Sequence, residues 1–205
     1  MRLQKAKSFL GIIFDDNLSW KERICYISSK LNSCLGATRK VRSYLNISAL
    51  LTIYHSLMQS RLQYCCETWG SWEPRGNKVI LQRLQAVCNK FIRLMYNLDR
   101  QDSVRAILKN KNLLNVKQMY NYTVGNTMQR ANEGSLPEPL QNLFESDPAQ
   151  NNSFILKTSR IKRTEKSIAQ SGPRIWNSFP SQLHLVRDNK KFKTMLKKHV
   201  IASNN

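Results

Sequence analysis

The residues with the most chemistry to offer stand near the N-terminus, where the apolar run Phe9-Leu10-Gly11-Ile12-Ile13-Phe14 ends in Asp15-Asp16. Paired carboxylates behind a strand can bridge the Mg²⁺ ions that activate an attacking hydroxyl. That chemistry needs a further carboxylate from another strand, and only a short basic segment precedes this pair. The next acids, Glu22 and Glu67, read as a helix cap and a lone helical residue. Asp15 and Asp16 are therefore expected to close a turn, because an aspartate side chain satisfies turn backbone locally. His55, His184 and His199 have no cysteine or carboxylate at ligand spacing. No serine or cysteine sits in a nucleophile elbow, and no glycine-rich phosphate loop occurs. The expectation is no catalytic residue, no metal ligand and no cofactor.

What remains is charge. The 205 residues carry 33 Lys+Arg against 13 Asp+Glu, a formal +20. An excess of that size points to a polyanion, of which nucleic acid is the commonest. The charge comes in blocks: +14 over 1–130, −4 over 131–150 and +10 over 151–205. Cys25, Cys34, Cys65, Cys66 and Cys88 are odd in number and form no C-x-x-C pair, so reduced thiols, most of them in the core, are expected. No stretch approaches the ~18 uncharged apolar residues of a membrane span, and no secretory leader opens the chain. The reading is an intracellular protein, nuclear or cytoplasmic, not secreted and not membrane-bound.

The elements that would position these charges are mostly helices. The run from Phe9 reads as a buried strand, and Ser19 with Glu22 reads as a capping box opening a long helix. Along that helix Ile24, Leu31, Thr38 and Leu45 form one row and Ile27, Cys34 and Val41 another, at alternating three-four spacing. Arg23, Lys30, Arg39 and Lys40 fall on the other face. Asn46 or Ser48 caps a second helix through Ile47, Leu50, Tyr54, Met58 and Leu62, expected to pack antiparallel on the first. Tyr64, Trp69 and Trp72 lead to the breaker Glu73-Pro74-Arg75-Gly76-Asn77. A third helix spans about 77–98, with Lys78, Arg83, Lys90 and Arg93 outside. Asp102 is expected to cap a shorter helix, and a further one runs over about 116–130. Gly134 to Pro139 ends helical structure, and 145–153 reads as an exposed linker. Residues 154–170 read as loop or short strands, Ser171-Gly172-Pro173 as a turn, and 189–201 as a last, lysine-rich helix. Tyr64, Trp69, Trp72 and Trp176 could stack on unpaired bases, but aromatics at helix ends more often plug the core, and they are read so here.

Several of these residues together resemble a known pattern. Phe9-Leu10-Gly11-Ile12-Ile13, an aspartate at 15 or 16, and Leu18-Ser19-Trp20 resemble the signature that closes the reverse transcriptase domain of non-LTR retrotransposon polymerases of the jockey type. Tyr54-His55-Ser56-Leu57 with Leu62-Gln63-Tyr64, then Trp69-Gly70, then Leu84-Gln85-Ala86-Val87 with Ile92-Arg93 are similar to the family's following helices. Gly172 to Pro180, reading GPRIWNSFP, with Phe192-Lys193 and Leu196-Lys197, is similar to its ending, although Phe179 stands where leucine is usual. The resemblance implies the end of the palm (1–18), a helical thumb-like bundle (19–133), a Pro/acidic linker (134–153) and a basic C-terminal module (154–205). The fingers and catalytic aspartate box would precede Met1, so it implies gripping of template and primer rather than catalysis.

The expectation is a mainly α chain: a short N-terminal β-strand or hairpin, a helical bundle, and a small basic module. Its function is expected to be non-specific binding of RNA or DNA backbone by a non-catalytic reverse-transcriptase-like fragment. Arg23, Lys30, Arg39, Lys40 and Arg42 on the first helix and Lys190, Lys191, Lys193, Lys197 and Lys198 on the last are the expected contacts, since cations on solvated helical faces neutralise phosphates. The alternative is a scaffold that assembles with itself or with a larger polymerase polypeptide.

Overall fold

The computed structural model describes residues 6–71, 78–148, 152–157 and 167–203. Trp72, the breaker at 73–77, the Lys78 side chain and the segment 158–166 lie outside the described residues. The chain is mainly helical after an N-terminal hairpin, and it divides into two compact units, Met1–Val116 and Lys117–Asn205.

In the first unit, β1 (Ala6–Phe9) pairs antiparallel with β2 (Ile12–Asp15) through a two-residue turn, Leu10-Gly11. Both turn residues have positive φ, 47° and 74°, the conformation whose twist suits a tight hairpin and which glycine adopts without steric cost. The apolar run is thus not one buried strand. It folds back on itself, leaving Phe9 65% and Leu10 72% exposed, with Ile12 buried.

The capping box also does not form. Trp20, at φ 60°, is the N-cap of α1 (Lys21–Val41) and gives no side-chain cap. The Asp15 carboxylate replaces it, accepting from the backbone N–H of Asn17 (3.1 Å), Ser19 (2.9 Å) and Trp20 (2.9 Å) and from Ser19 Oγ (3.0 Å). Burial alone would raise the Asp15 pKa; these hydrogen bonds outweigh it and hold the group below the ordinary aspartate value. The positive φ of Leu18 and Trp20 is tolerated because the turn is held this way and the Trp20 ring is buried against Phe14, 5.6 Å between centroids.

The apolar stripe of α1 is buried over Ile24, Ile27, Leu31, Cys34 and Thr38, with Leu35 beside them, but it stops there: Val41 is 43% exposed and Leu45 lies beyond the helix in extended backbone. Each large aliphatic contributes about 1.5–3 kcal/mol of burial. After the 3₁₀ turn Arg42–Tyr44, α2 (Ile47–Ile53) starts under an Asn46 cap that accepts from Ala49 N–H at 2.8 Å. It passes into a π-helical segment, Tyr54–Gln59, and then α3 (Ser60–Gln63) and α4 (Cys66–Trp69). The main partner of α1 is α5 (Lys78–Tyr96) rather than α2; the π-helical continuation of α2 also reaches it. The reason is apolar supply. Leu81, Leu84, Val87, Cys88, Phe91, Ile92 and Met95 make α5 the most continuous buried face of the unit.

Asp102 does not cap α6 (Arg105–Asn110), whose N-cap is Val104. Asp102 instead accepts from Asp99 N–H at 2.8 Å and offers its carbonyl to Arg93. The Gln85 side chain accepts from Val116 N–H at 2.7 Å, where α7 (Val116–Asn132) begins.

The second unit is built on α7. Gly125 lets α11 (Asn189–Ala202) approach, since a Cβ there would stand 2.8 Å from Leu196 Cδ2 and 3.0 Å from Phe179 Cε2. Residues 133–137 are non-helical, as expected, and end α7, but Pro139 is not a terminator: it lies in the first turn of the short α8 (Glu138–Gln141) behind an N-cap at Pro137, where a missing N–H costs nothing. Ser171-Gly172-Pro173 is not a turn either, but lies inside α9 (Ile168–Asn177), buried. Gly172 packs against Met128 and Phe144, and Tyr120 Oη hydrogen-bonds Ser171 Oγ at 2.8 Å.

The described ends of the expected linker are tied together, with Glu145, Ser146 and Pro148 exposed and Ser153 buried. Ser146 bridges Phe154, Asp147 N–H donates to the Ser153 carbonyl, and Ile155 N–H donates to that of Glu145. The Asn177 side chain clamps it, accepting from Phe154 N–H at 3.1 Å and donating to the Phe154 carbonyl at 2.8 Å, while Trp176 Nε1 donates to Asn152 at 2.8 Å. Trp176 is fully buried among Phe154, Phe179 and Phe192, with His184 stacked on it at 4.7 Å. After α10 (Ser181–His184), Asp188 caps α11 through Lys190 N–H at 2.9 Å. Among the described residues, no helix is long and apolar enough to cross a membrane.

Candidate nucleic-acid interface

The ten expected contacts do not share one environment. On α1, Lys30, Arg39 and Lys40 are exposed as expected. Arg23 is not on the solvated face. It is only 4% exposed, with Nη1 donating to the Gly11 carbonyl at 2.7 Å and its guanidinium 5.8 Å over the Tyr64 ring. Position 23 precedes Ile27 by one helical turn, so it flanks the apolar stripe, and the hairpin covers it there. Burial lowers its pKa, and interactions with Cys65, Tyr26 and Tyr64 raise it partway back.

Arg42 is half-buried and occupied. Its Nε and Nη2 donate to the Leu94 and Met95 carbonyls at 2.8 and 3.0 Å. These are among the last carbonyls of α5, where a cation also meets the negative end of the helix dipole. Arg42 thereby fastens the C-terminal end of α1 to that of α5.

This junction makes a groove that the sequence reading did not assemble. An open groove of about 750 Å³ is lined by Arg39, Arg42, Lys90, Arg93 and Arg100, with Asn89 and Asn97 as neutral donors. No Asp or Glu is among its described lining residues. Arg93 is fixed on the Asp102 carbonyl through Nε (3.1 Å) and Nη2 (2.9 Å), while Arg39, Lys90 and Arg100 are exposed. Lys90 and Arg93 fall on the outer face of their helix by spacing alone; only the pairing of α1 with α5 brings them to Arg39. Arg100 lies past the helix in a turn and carried no periodic signal.

On α11, Lys190, Lys191, Lys193 and Lys198 are exposed and Lys197 half-buried, opposite the buried stripe Phe192, Leu196 and Val200. This is a second basic face, in the second unit. Of the aromatics, Trp69 and Trp176 are core residues, each with its indole N–H on a backbone carbonyl, of Tyr64 and Asn152 respectively. Tyr64 is half-exposed, its Oη donating to the Leu10 carbonyl at 2.7 Å.

Asp15 is engaged in the turn that opens α1, as its position after the apolar run led one to expect. Among the described residues no three His, Cys, Asp or Glu side chains gather as a metal would require. Cys34, Cys66 and Cys88 are buried and all five cysteines are free; burial pushes the Cys88 thiol up to about 12.

Over 93 residues the chain is 28% identical to the probable RNA-directed DNA polymerase from transposon X-element of Drosophila melanogaster. The matched stretch covers 44% of this chain and 10% of that polymerase. No family model matches the chain, and no solved structure does. The likeness supports an origin related to a transposon reverse transcriptase.

Proposed function

We propose that this chain is a non-catalytic reverse-transcriptase-like fragment of a non-LTR retrotransposon that holds nucleic acid by its backbone without sequence preference. The observation that carries the reading is the groove between α1 and α5, with five cationic side chains and no acidic one among its described lining residues. Like charges gathered along a groove repel one another, and a phosphate backbone laid there relieves that repulsion while releasing its own counterions. The lysines of α11 supply a further phosphate-binding face. The relative's printed activity, RNA-directed DNA polymerisation, suits a template–primer as the ligand. The engagement of Asp15 in a turn argues for a binding role over a chemical one.

A gel-shift series with single-stranded RNA across salt concentration tests this. Affinity is expected to fall steeply with salt and to drop at least about tenfold in Arg39→Glu/Lys90→Glu, the scale of two lost phosphate contacts. Salt-independent binding would count against the reading. Primer extension with Mg²⁺ is expected to give no product, and any extension would refute the non-catalytic role.

A second reading, docking of this chain on a larger polymerase polypeptide, is favoured by the apolar hairpin tip, where Phe9 and Leu10 are exposed. The groove variant separates the two, since it should leave such docking intact.

A further inference from the structure

A second hollow, of about 530 Å³, lies between the hairpin turn, α1 and α3, and is lined by Arg23, Lys30, Arg61, Tyr26, Tyr64 and Gly11 among others. It differs from the groove in kind. Arg23 forms its wall as a buried cation whose Nε has no hydrogen-bond partner. The ionisable side chains that act on it are Cys65, Tyr26 and Tyr64, none a carboxylate. A charge taken out of water ordinarily requires a partner of opposite sign. Lys30 adds a second cation, its Nζ 5.4 Å over the Tyr26 ring, and Arg61 a third, with Nη1 on the Leu57 carbonyl at 3.2 Å. Both tyrosine rings remain about half exposed, at 45% and 47%.

We propose that this hollow seats a phosphate monoester joined to a planar base, as in a mononucleotide or the phosphorylated end of a strand. Three cations suit a monoester, which carries about −1.5 to −2 at neutral pH, better than the single charge of an internal phosphodiester. The space fits one nucleotide, not a duplex. Each tyrosine has one ring face under a cation and is still about half exposed, which leaves aromatic surface for the base to meet; the groove has no aromatic among its described lining residues. The hairpin turn is held over the hollow by Arg23 on the Gly11 carbonyl and Tyr64 on the Leu10 carbonyl, so the wall is fixed before a ligand arrives.

The inference rests on the nucleic-acid reading, and its test separates the two. Fluorescence anisotropy compares one short, 3′-labelled RNA strand bearing either a 5′-phosphate or a 5′-hydroxyl. The phosphorylated strand is expected to bind at least about fivefold tighter, the scale of one extra charge beside surface cations. AMP should erase the difference and adenosine should not. The difference should vanish in Lys30→Glu/Arg61→Glu. Because the readout is a ratio within one variant, a general loss of positive charge cancels, and circular dichroism checks that the variant folds. Arg39→Glu/Lys90→Glu should weaken both strands and keep the ratio. Equal binding of the two strands, or a preference that survives Lys30→Glu/Arg61→Glu, overturns the hollow as a phosphate seat and leaves the groove standing. Direct binding of AMP, abolished in the same variant, by a protein that retains neither strand would uphold the hollow and overturn the groove. A preference that AMP does not erase would place the site on strand ends alone, still by the same phosphate.

Discussion

Asp15 holds four donors with one carboxylate, and that makes it the side chain on which the entry to α1 depends. Asp15→Ala is expected to cost about 0.5–2 kcal/mol, as loss of a helix cap does, measured by urea denaturation at neutral pH. The pH dependence follows from the sign of its shift. Its folded pKa lies below its unfolded value, so its contribution is present above the unfolded pKa and is lost as pH falls through the folded one. The stability gap between wild type and Asp15→Ala should therefore close in acid below about 3.9, the ordinary aspartate value; a gap constant with pH would show that the carboxylate's charge is not what holds the turn. Tyr54 offers the opposite case. It is fully buried against Phe91 with its hydroxyl unpartnered, so Tyr54→Phe removes an unsatisfied group and leaves the ring. That variant should be neutral or more stable by up to about 1 kcal/mol. The thiols sort by the same logic: iodoacetamide at neutral pH should label exposed Cys25 first and leave Cys88 unmodified, because burial keeps Cys88 from forming thiolate.

At the scale of elements, close approach governs the second unit. Gly125→Val would push a side chain into Leu196 and Phe179 where α11 crosses α7, at a cost of about 1–3 kcal/mol read as a lower thermal midpoint. The helices themselves were legible in the sequence. The three-four rows of α1, the Asn46 cap, and the extents of α5, α7 and α11 follow from local periodicity and capping. Local periodicity also hid what was missed. Ser19 and Glu22 have the spacing of a capping box, but an aspartate four residues before Ser19 takes both the Ser19 N–H and the Ser19 hydroxyl once the turn folds. Arg23 sits at the margin of a stripe, and whether a margin is wet or dry depends on which element lies over it. Pro173 and Gly172 read as a turn because their propensities are poor for helix, whereas tight packing on Met128 and Phe144 overrides propensity. The groove was half legible. Its residues stood in the sequence as two outer faces, and only the preference of α1 for α5 over α2, a matter of which apolar face is larger, joined them.

For the whole molecule the formal charge of +20 sets two responses to salt with opposite sign. Self-repulsion weakens the folded state most at low ionic strength, so the unliganded protein should melt higher as salt is added. Nucleic-acid binding draws on released counterions and should weaken over the same range. A ligand that binds the folded chain stabilises it by mass action, so RNA should raise the melting midpoint at low salt and cease to do so at high salt. The groove makes a share of this assignable. Removing two phosphate contacts with Arg39→Ala/Lys90→Ala should reduce the log–log salt slope by about 1.4, at about 0.7 per contact on a single strand. The same pair of substitutions on α11, Lys190→Ala/Lys193→Ala, measures what the second basic face contributes, since those lysines are likewise exposed and belong to the second unit. A slope that falls with the α11 pair and not with the α1–α5 pair would move the binding surface to the second unit and leave the groove as structure. A slope that falls with both, in proportion to the charges removed, would mean that the strand engages both basic faces.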